Sequence, residues 1–116
     1  MSAERNDFYE CLKLLLSELF SKRTSRVLNG TYTMAAAGEN TLQILDANGA
    51  GRNVLLPSES ANDGKIMLIN NPAAGAFSLT LQSSAGAGLS PAVTVAQNKT
   101  AIVFCDGTAW RALNGA

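Results

Sequence analysis

The side chains able to do chemistry are few and scattered along the chain. Asp46-Ala47-Asn48-Gly49-Ala50-Gly51 sets Asp, Asn and Gly at the first, third and sixth positions of a calcium loop. Its fifth position is Ala50, and Pro57 stands where a bidentate glutamate belongs, so the segment reads as a glycine-rich turn. Gly64-Lys65 resembles the end of a phosphate loop, but Glu59 occupies the place of the upstream glycine. Asp46, Glu59, Asp63 and Asp106 each adjoin a turn, where carboxylates are ordinarily solvated, and no spacing among them favours a catalytic pair. The chain has no histidine, which removes imidazole bases, nucleophile triads and histidine metal ligands. Cys11 and Cys105 are too few for a structural zinc site and read as buried free thiols. Trp110 and Tyr32 are the aromatics that a sugar-stacking platform would use, although Trp110 reads first as core. The expectation is a protein with no catalytic residues, cofactor, metal or small-molecule substrate.

Most of this sparse set lies on or beside strands. Near the C-terminus, Asp106-Gly107 separates two short apolar runs, the pattern of a tight hairpin whose second corner takes a positive φ. A two-residue loop there sets Cys105 opposite Thr108, Phe104 opposite Ala109 and Val103 opposite Trp110. Neither alternate face of Ala101–Cys105 is polar, and the same holds for the stretch from Ile66 to Ile69. Strands apolar on both faces need cover on both. Within 116 residues, the domain's second sheet is one cover and another copy of the chain is the expected other. Ile66, Leu68, Val103, Phe104 and Trp110 are the residues assigned to core or oligomer contact.

Ser2 to about Arg23 reads as an amphipathic helix. Glu4, Asp7 and Glu10 lie near the positive end of its dipole, and Lys22, Arg23 and Arg26 near the negative end. Phe8, Leu12, Leu15 and Leu19 follow the four-three-four spacing of a coiled-coil seam, widened by Tyr9, Cys11, Leu16 and Phe20. That arc is too wide for a single neighbour. Phe8, Leu12, Leu15, Leu16, Leu19 and Phe20 are therefore the expected anchor on a partner protein or among sister helices, the alternative being a helix packed across the end of its own β domain. The apolar run is too short and too interrupted by charge to span a membrane.

Thr24–Gly30 reads as a connector, after which the apolar period changes from helical to two. Leu42 and Ile44 alternate with polar neighbours, as do Phe77, Leu79 and Leu81; residues 83–91 read as a loop. About eight short strands follow one another with no room for helical crossovers. The expected fold is mainly β: an antiparallel, jelly-roll-like sandwich or barrel over residues 27–116, preceded by a helical unit over residues 1–26. Net charge is zero, and nine of the eighteen charged residues lie between Glu4 and Arg26. From Asn53 to Cys105 only Glu59, Asp63, Lys65 and Lys99 are charged. Such a balance gives no steering towards nucleic acid or an anionic membrane. A β surface that avoids charge suits contact with other protein.

Arg52-Asn-Val-Leu-Leu-Pro57, a polar loop, Gly64-Lys-Ile-Met-Leu-Ile-Asn70 and the closing Ile102-Val-Phe-Cys-Asp-Gly-Thr-Ala-Trp110 together resemble a module of tailed-bacteriophage structural proteins. The resemblance covers residues 52–113 and extends to head-decoration proteins and tail-fibre tips. It implies a non-catalytic homotrimer in the virion. A chain beginning at Met1 with a short helix and no shaft is expected to be a capsid decoration (cement) protein. Its partners would be the major capsid protein, or another virion protein, and two further copies of itself, at the capsid surface. The alternative is a tail-fibre tip or other receptor- or carbohydrate-binding module.

Overall fold

From Arg23 onward the chain runs in extended segments whose side chains alternate between core and surface. The computed structural model describes residues 8–14 and 22–112, and residues 8–14 are helical. The strands are β1 (Arg23–Val27), β2 (Tyr32–Thr33), β3 (Leu42–Asp46), β4 (Arg52–Leu55), β5 (Ile66–Asn71), β6 (Leu79–Gln82), β7 (Gly88–Val95), β8 (Lys99–Cys105) and β9 (Trp110–Ala112). A 3-10 turn at Ser60–Asn62 precedes β5. The protein is mainly β with one N-terminal helix.

The strands form two sheets, in the orders β1-β3-β5-β8-β9 and β2-β4-β6-β7. Both are mixed, which corrects the expectation of purely antiparallel sheets. β1, β3 and β5 run parallel, and so do β2, β4 and β6. A parallel connection needs a long crossover, usually helical. Here the crossover is a strand of the opposite sheet: the chain winds β1, β2, then β3, β4, then β5, β6, in two-strand coils. Only after β6 does it reverse. β7 pairs antiparallel with β6, and β8 and β9 then add antiparallel to β5.

One core lies between the sheets. The five-stranded sheet contributes Leu45, Met67, Ile69, Val103, Cys105 and Trp110, and the four-stranded sheet Val54, Leu79, Leu81, Leu89 and Val95. Asn71 is fully buried among them and is bonded at every polar position of its side chain. Its Oδ1 accepts from the amides of Ala47 (3.3 Å) and Ala73 (3.2 Å). Its Nδ2 donates to the carbonyls of Phe77 (2.7 Å) and Val95 (3.0 Å). One amide thus ties the ends of β3 and β7 to the connection between β5 and β6.

Four local expectations are corrected. Arg23–Val27 is a strand, neither the end of the helix nor a connector, so the β region begins before residue 27. Residues 88–91 belong to β7 rather than to a loop, and Pro91 is accommodated because β7 lies at a sheet edge. In β3 it is Gln43 and Leu45 that face the core, while Leu42 and Ile44 face outward. Gln43 can be buried because its Nε2 donates to the carbonyl of Asn40 at 2.8 Å. The last hairpin has a four-residue loop, with Cys105 opposite Trp110 and Val103 opposite Ala112. A register shift of two preserves the faces, so Trp110 still points inward.

The loop is built on Asp106. Its Oδ1 accepts from the amides of Thr108 (2.9 Å) and Ala109 (2.8 Å), while Oδ2 accepts from Arg111 Nε at 2.8 Å. Gly107 takes a φ of 89°, which a side chain would strain. The Arg111 bond first, then the two amides, pull the Asp106 carboxyl down to about 2. A depressed carboxyl stabilises the fold above its unfolded pKa, and this stabilisation is lost as pH falls towards 2. Asp106→Asn is therefore expected to show a smaller loss of thermal midpoint than the natural chain when pH falls from 5 to 2. Equal losses would show that the ion pair contributes nothing.

Candidate assembly interface

Asp46, Glu59 and Asp106, three of the four carboxylates singled out for chemistry, are engaged in holding turns. In the calcium-like segment, Asp46 Oδ1 accepts from the Asn48 amide at 2.9 Å. The Arg52 guanidinium bonds the carbonyls of Ala47 (2.7 Å) and Asn48 (2.9 Å), which closes the turn. Glu59 accepts from the hydroxyl and amide of Ser84. Burial raises its carboxyl, but those bonds outweigh burial and leave it below its ordinary value. Cys105 is buried and its thiol lies 3.2 Å from the Glu59 carbonyl; burial pushes its pKa up, away from the reactive thiolate. Cys11 is exposed on the helical segment, which corrects its assignment as a buried thiol. Among the described residues, no group of three or more His, Cys, Asp or Glu could hold a metal ion.

The aromatic platform does not form. Trp110 is only 2% exposed and its indole donates to the Pro57 carbonyl at 2.8 Å. Tyr32 lies on the other sheet, with the Arg26 guanidinium 5.1 Å from its ring centre. An open groove of about 290 Å³ runs beside β7 past Glu59, Ser90, Thr108 and Arg111. Glu59 and Arg111 already bond Ser84 and Asp106 there.

The unexplained surface is the outer face of the five-stranded sheet. In β5, Met67, Ile69 and Asn71 are buried while Ile66 and Leu68 point outward. In β8, Val103 and Cys105 are buried while Ile102 and Phe104 point outward. Register places Leu42, Leu68 and Ile102 side by side, and Ile66 beside Phe104. With Ile44, these six apolar side chains make a diagonal band centred on Leu68. Ile66 is 49% exposed and Ile102 38%. The band is bordered by Arg23 beside Leu42, by Arg111 beside Phe104, and by Asn70 and Thr100, which bond each other at 2.9 Å. A contiguous apolar patch with a polar rim marks an interaction surface.

Of the expected core or oligomer residues, Val103 and Trp110 lie in the core, while Ile66, Leu68 and Phe104 lie on the outer band. Leu42, Ile44 and Ile102 join that band and were not singled out from sequence; the alternation in β3 pointed Leu42 and Ile44 at the core instead. Of the expected anchor residues, Phe8 and Leu12 are exposed on the helical segment. Leu15, Leu16, Leu19 and Phe20 lie outside the described residues. No helix among the described residues is long and apolar enough to cross a membrane. No family model matches the chain, and no curated protein or solved structure is significantly similar to it.

Proposed function

We propose that this chain is a structural protein of a tailed-bacteriophage particle: a non-catalytic, homotrimeric decoration module that stabilises the capsid by adding buried interface between its subunits. The partly exposed apolar band on the five-stranded sheet carries the reading. A domain that completes its core between two sheets has no folding need for six further apolar side chains outside. Their use is a contact with protein. The sparse charge from Asn53 to Cys105 supports this, as does the resemblance of residues 52–113, which correspond to β4 through β9. The carboxylates of Asp46, Glu59 and Asp106 are engaged in turns, which favours a scaffold over an enzyme. Trp110 is buried in the core and Tyr32 lies on the other sheet, so the two do not form the aromatic platform that the carbohydrate-binding alternative would use.

Two measurements test the reading. Light scattering after size exclusion is expected to give a trimer at micromolar concentration, and Leu68→Arg is expected to shift it to monomer with an unchanged circular dichroism spectrum. Leu68 is half-buried at the centre of the band, where a charge without a partner weakens association most. Co-sedimentation with capsids stripped of their decoration is expected for the natural chain. A natural chain that is monomeric, or fails to sediment with capsids, overturns the proposal.

A further inference from the structure

We infer that the apolar band of each five-stranded sheet is covered by the N-terminal helix of a second copy of this chain. The inference rests on the self-association proposed above and names the contact that makes it. The band alone is too small: six partly covered side chains fall well below the ~800 Å² per partner of a standard interface. Something else apolar must add to it. The same chain supplies a matching surface in its helical segment, where Phe8 is 71%, Tyr9 63% and Leu12 43% exposed. A copy therefore leaves two apolar surfaces open, one concentrated on a helix and one on a sheet, and a neighbour's helix against the sheet closes both.

The dimensions agree. From Ile44 through Leu68 to Phe104 the band crosses two strand spacings and four residues of rise, roughly 16 Å. The stripe predicted from Phe8 to Leu19 has a helical length of roughly 17 Å. Beside Ile102, at the edge between the two sheets, lies a separate open groove of about 300 Å³ lined also by Val93, Thr94, Thr100, Ala101 and Ala112. No charged side chain interrupts the band, and Arg23 and Arg111 stand at its borders, where a helix's polar flanks lie. The helix, expected from sequence to bind a capsid subunit, is then committed to a sister chain, and the capsid contact falls to the β domain.

Cross-linking on the full-length chain tests this with the natural Cys11 as one partner. A chain carrying Cys11 and a long tag is refolded with a short-tagged chain carrying Cys11→Ser and Leu68→Cys, then treated with a short bismaleimide. Ile102→Cys serves as a second position on the band, and Ala85→Cys, on an exposed turn far in sequence from it, as the control. Held at the millimolar effective concentration of a bound complex, the band cysteines are expected to give at least ~10-fold more mixed adduct than the control. Light scattering of the natural chain is run in parallel. A monomer overturns both this inference and the proposed function. An oligomer without mixed adduct at Leu68→Cys and Ile102→Cys overturns the inference alone. So does an oligomer in which Cys11 and Leu68→Cys link only when both are carried on one chain, because the helix then covers its own sheet.

Discussion

Replacing Asn71 with leucine is expected to cost at least ~4 kcal/mol and to leave the β domain largely unfolded at 37 °C. Leucine matches asparagine in size, so little of the loss would come from packing. The loss comes from four backbone groups: the amides of Ala47 and Ala73 and the carbonyls of Phe77 and Val95. Each is left without its partner in the interior, and an unsatisfied buried polar group costs about 1–3 kcal/mol. Asn71→Asp separates the two halves of the side chain. It keeps the acceptor for the two amides, removes both donors and brings charge into the core, so it is expected to be as damaging above pH 5. Urea unfolding followed by circular dichroism measures both. A midpoint within 0.5 M of the natural chain for Asn71→Leu would mean that water or backbone movement replaces the clasp.

Trp110→Ala is expected to cost ~3–5 kcal/mol, the range for large aromatic truncations in cores. The indole fills space between the sheets at the last strand, and its N–H is bonded to Pro57. Alanine therefore leaves both a cavity and an unpaired carbonyl. Trp110→Phe retains most of the volume and loses only the bond, so about 1–2 kcal/mol is expected there. The difference between the two variants divides packing from hydrogen bonding. Because Trp110 is the chain's single tryptophan, its fluorescence reports the same site: iodide should quench it weakly in the native protein and strongly in urea. Strong native quenching would contradict the buried position.

Alternation made the strands legible and did little to show how they pair. A period of two says that Met67 and Ile69 face away from Ile66 and Leu68, and so reveals that both faces of β5 are apolar. It carries no information on the neighbour, which is why the parallel coils were invisible. The crossover that parallel pairing demands is usually a helix, and this chain makes it from a strand. In β3 the pattern misled outright: Leu42 and Ile44 look like the core pair, but the core takes Leu45 and tolerates Gln43, because Asn40 and the Thr24 and Glu39 side chains lie within reach of its amide. Arg23 and Arg26 look like the basic end of a helix, although both lie on an edge strand, where charge discourages further pairing. Asn71 was hidden for a related reason. Asn70-Asn71-Pro72 reads as a turn, and only the meeting of three distant segments shows that its side chain is structural. The candidate interface was half legible: β5 and β8 announced it, while β3 joined it against its own pattern.

The coil arrangement has a consequence for how such a protein can change its length. In each sheet, a strand is followed by its parallel neighbour one coil later, as the pairs Arg23–Leu42, Leu42–Leu68 and Arg52–Leu79 show. Each coil therefore takes roughly 20–27 residues and rests chiefly on the coils beside it, as in repeat architectures. The antiparallel β7–β9 segment closes one end. At the other, β1 and β2 are short or mostly exposed and carry two arginines, so they form a polar lid. Between lid and closure, a duplicated β3–β4 unit would find a complementary edge on each side. Insertion there would extend the body by one strand spacing per sheet, ~4.8 Å, without reopening either end. The fold is a stack whose height can be set by the number of coils.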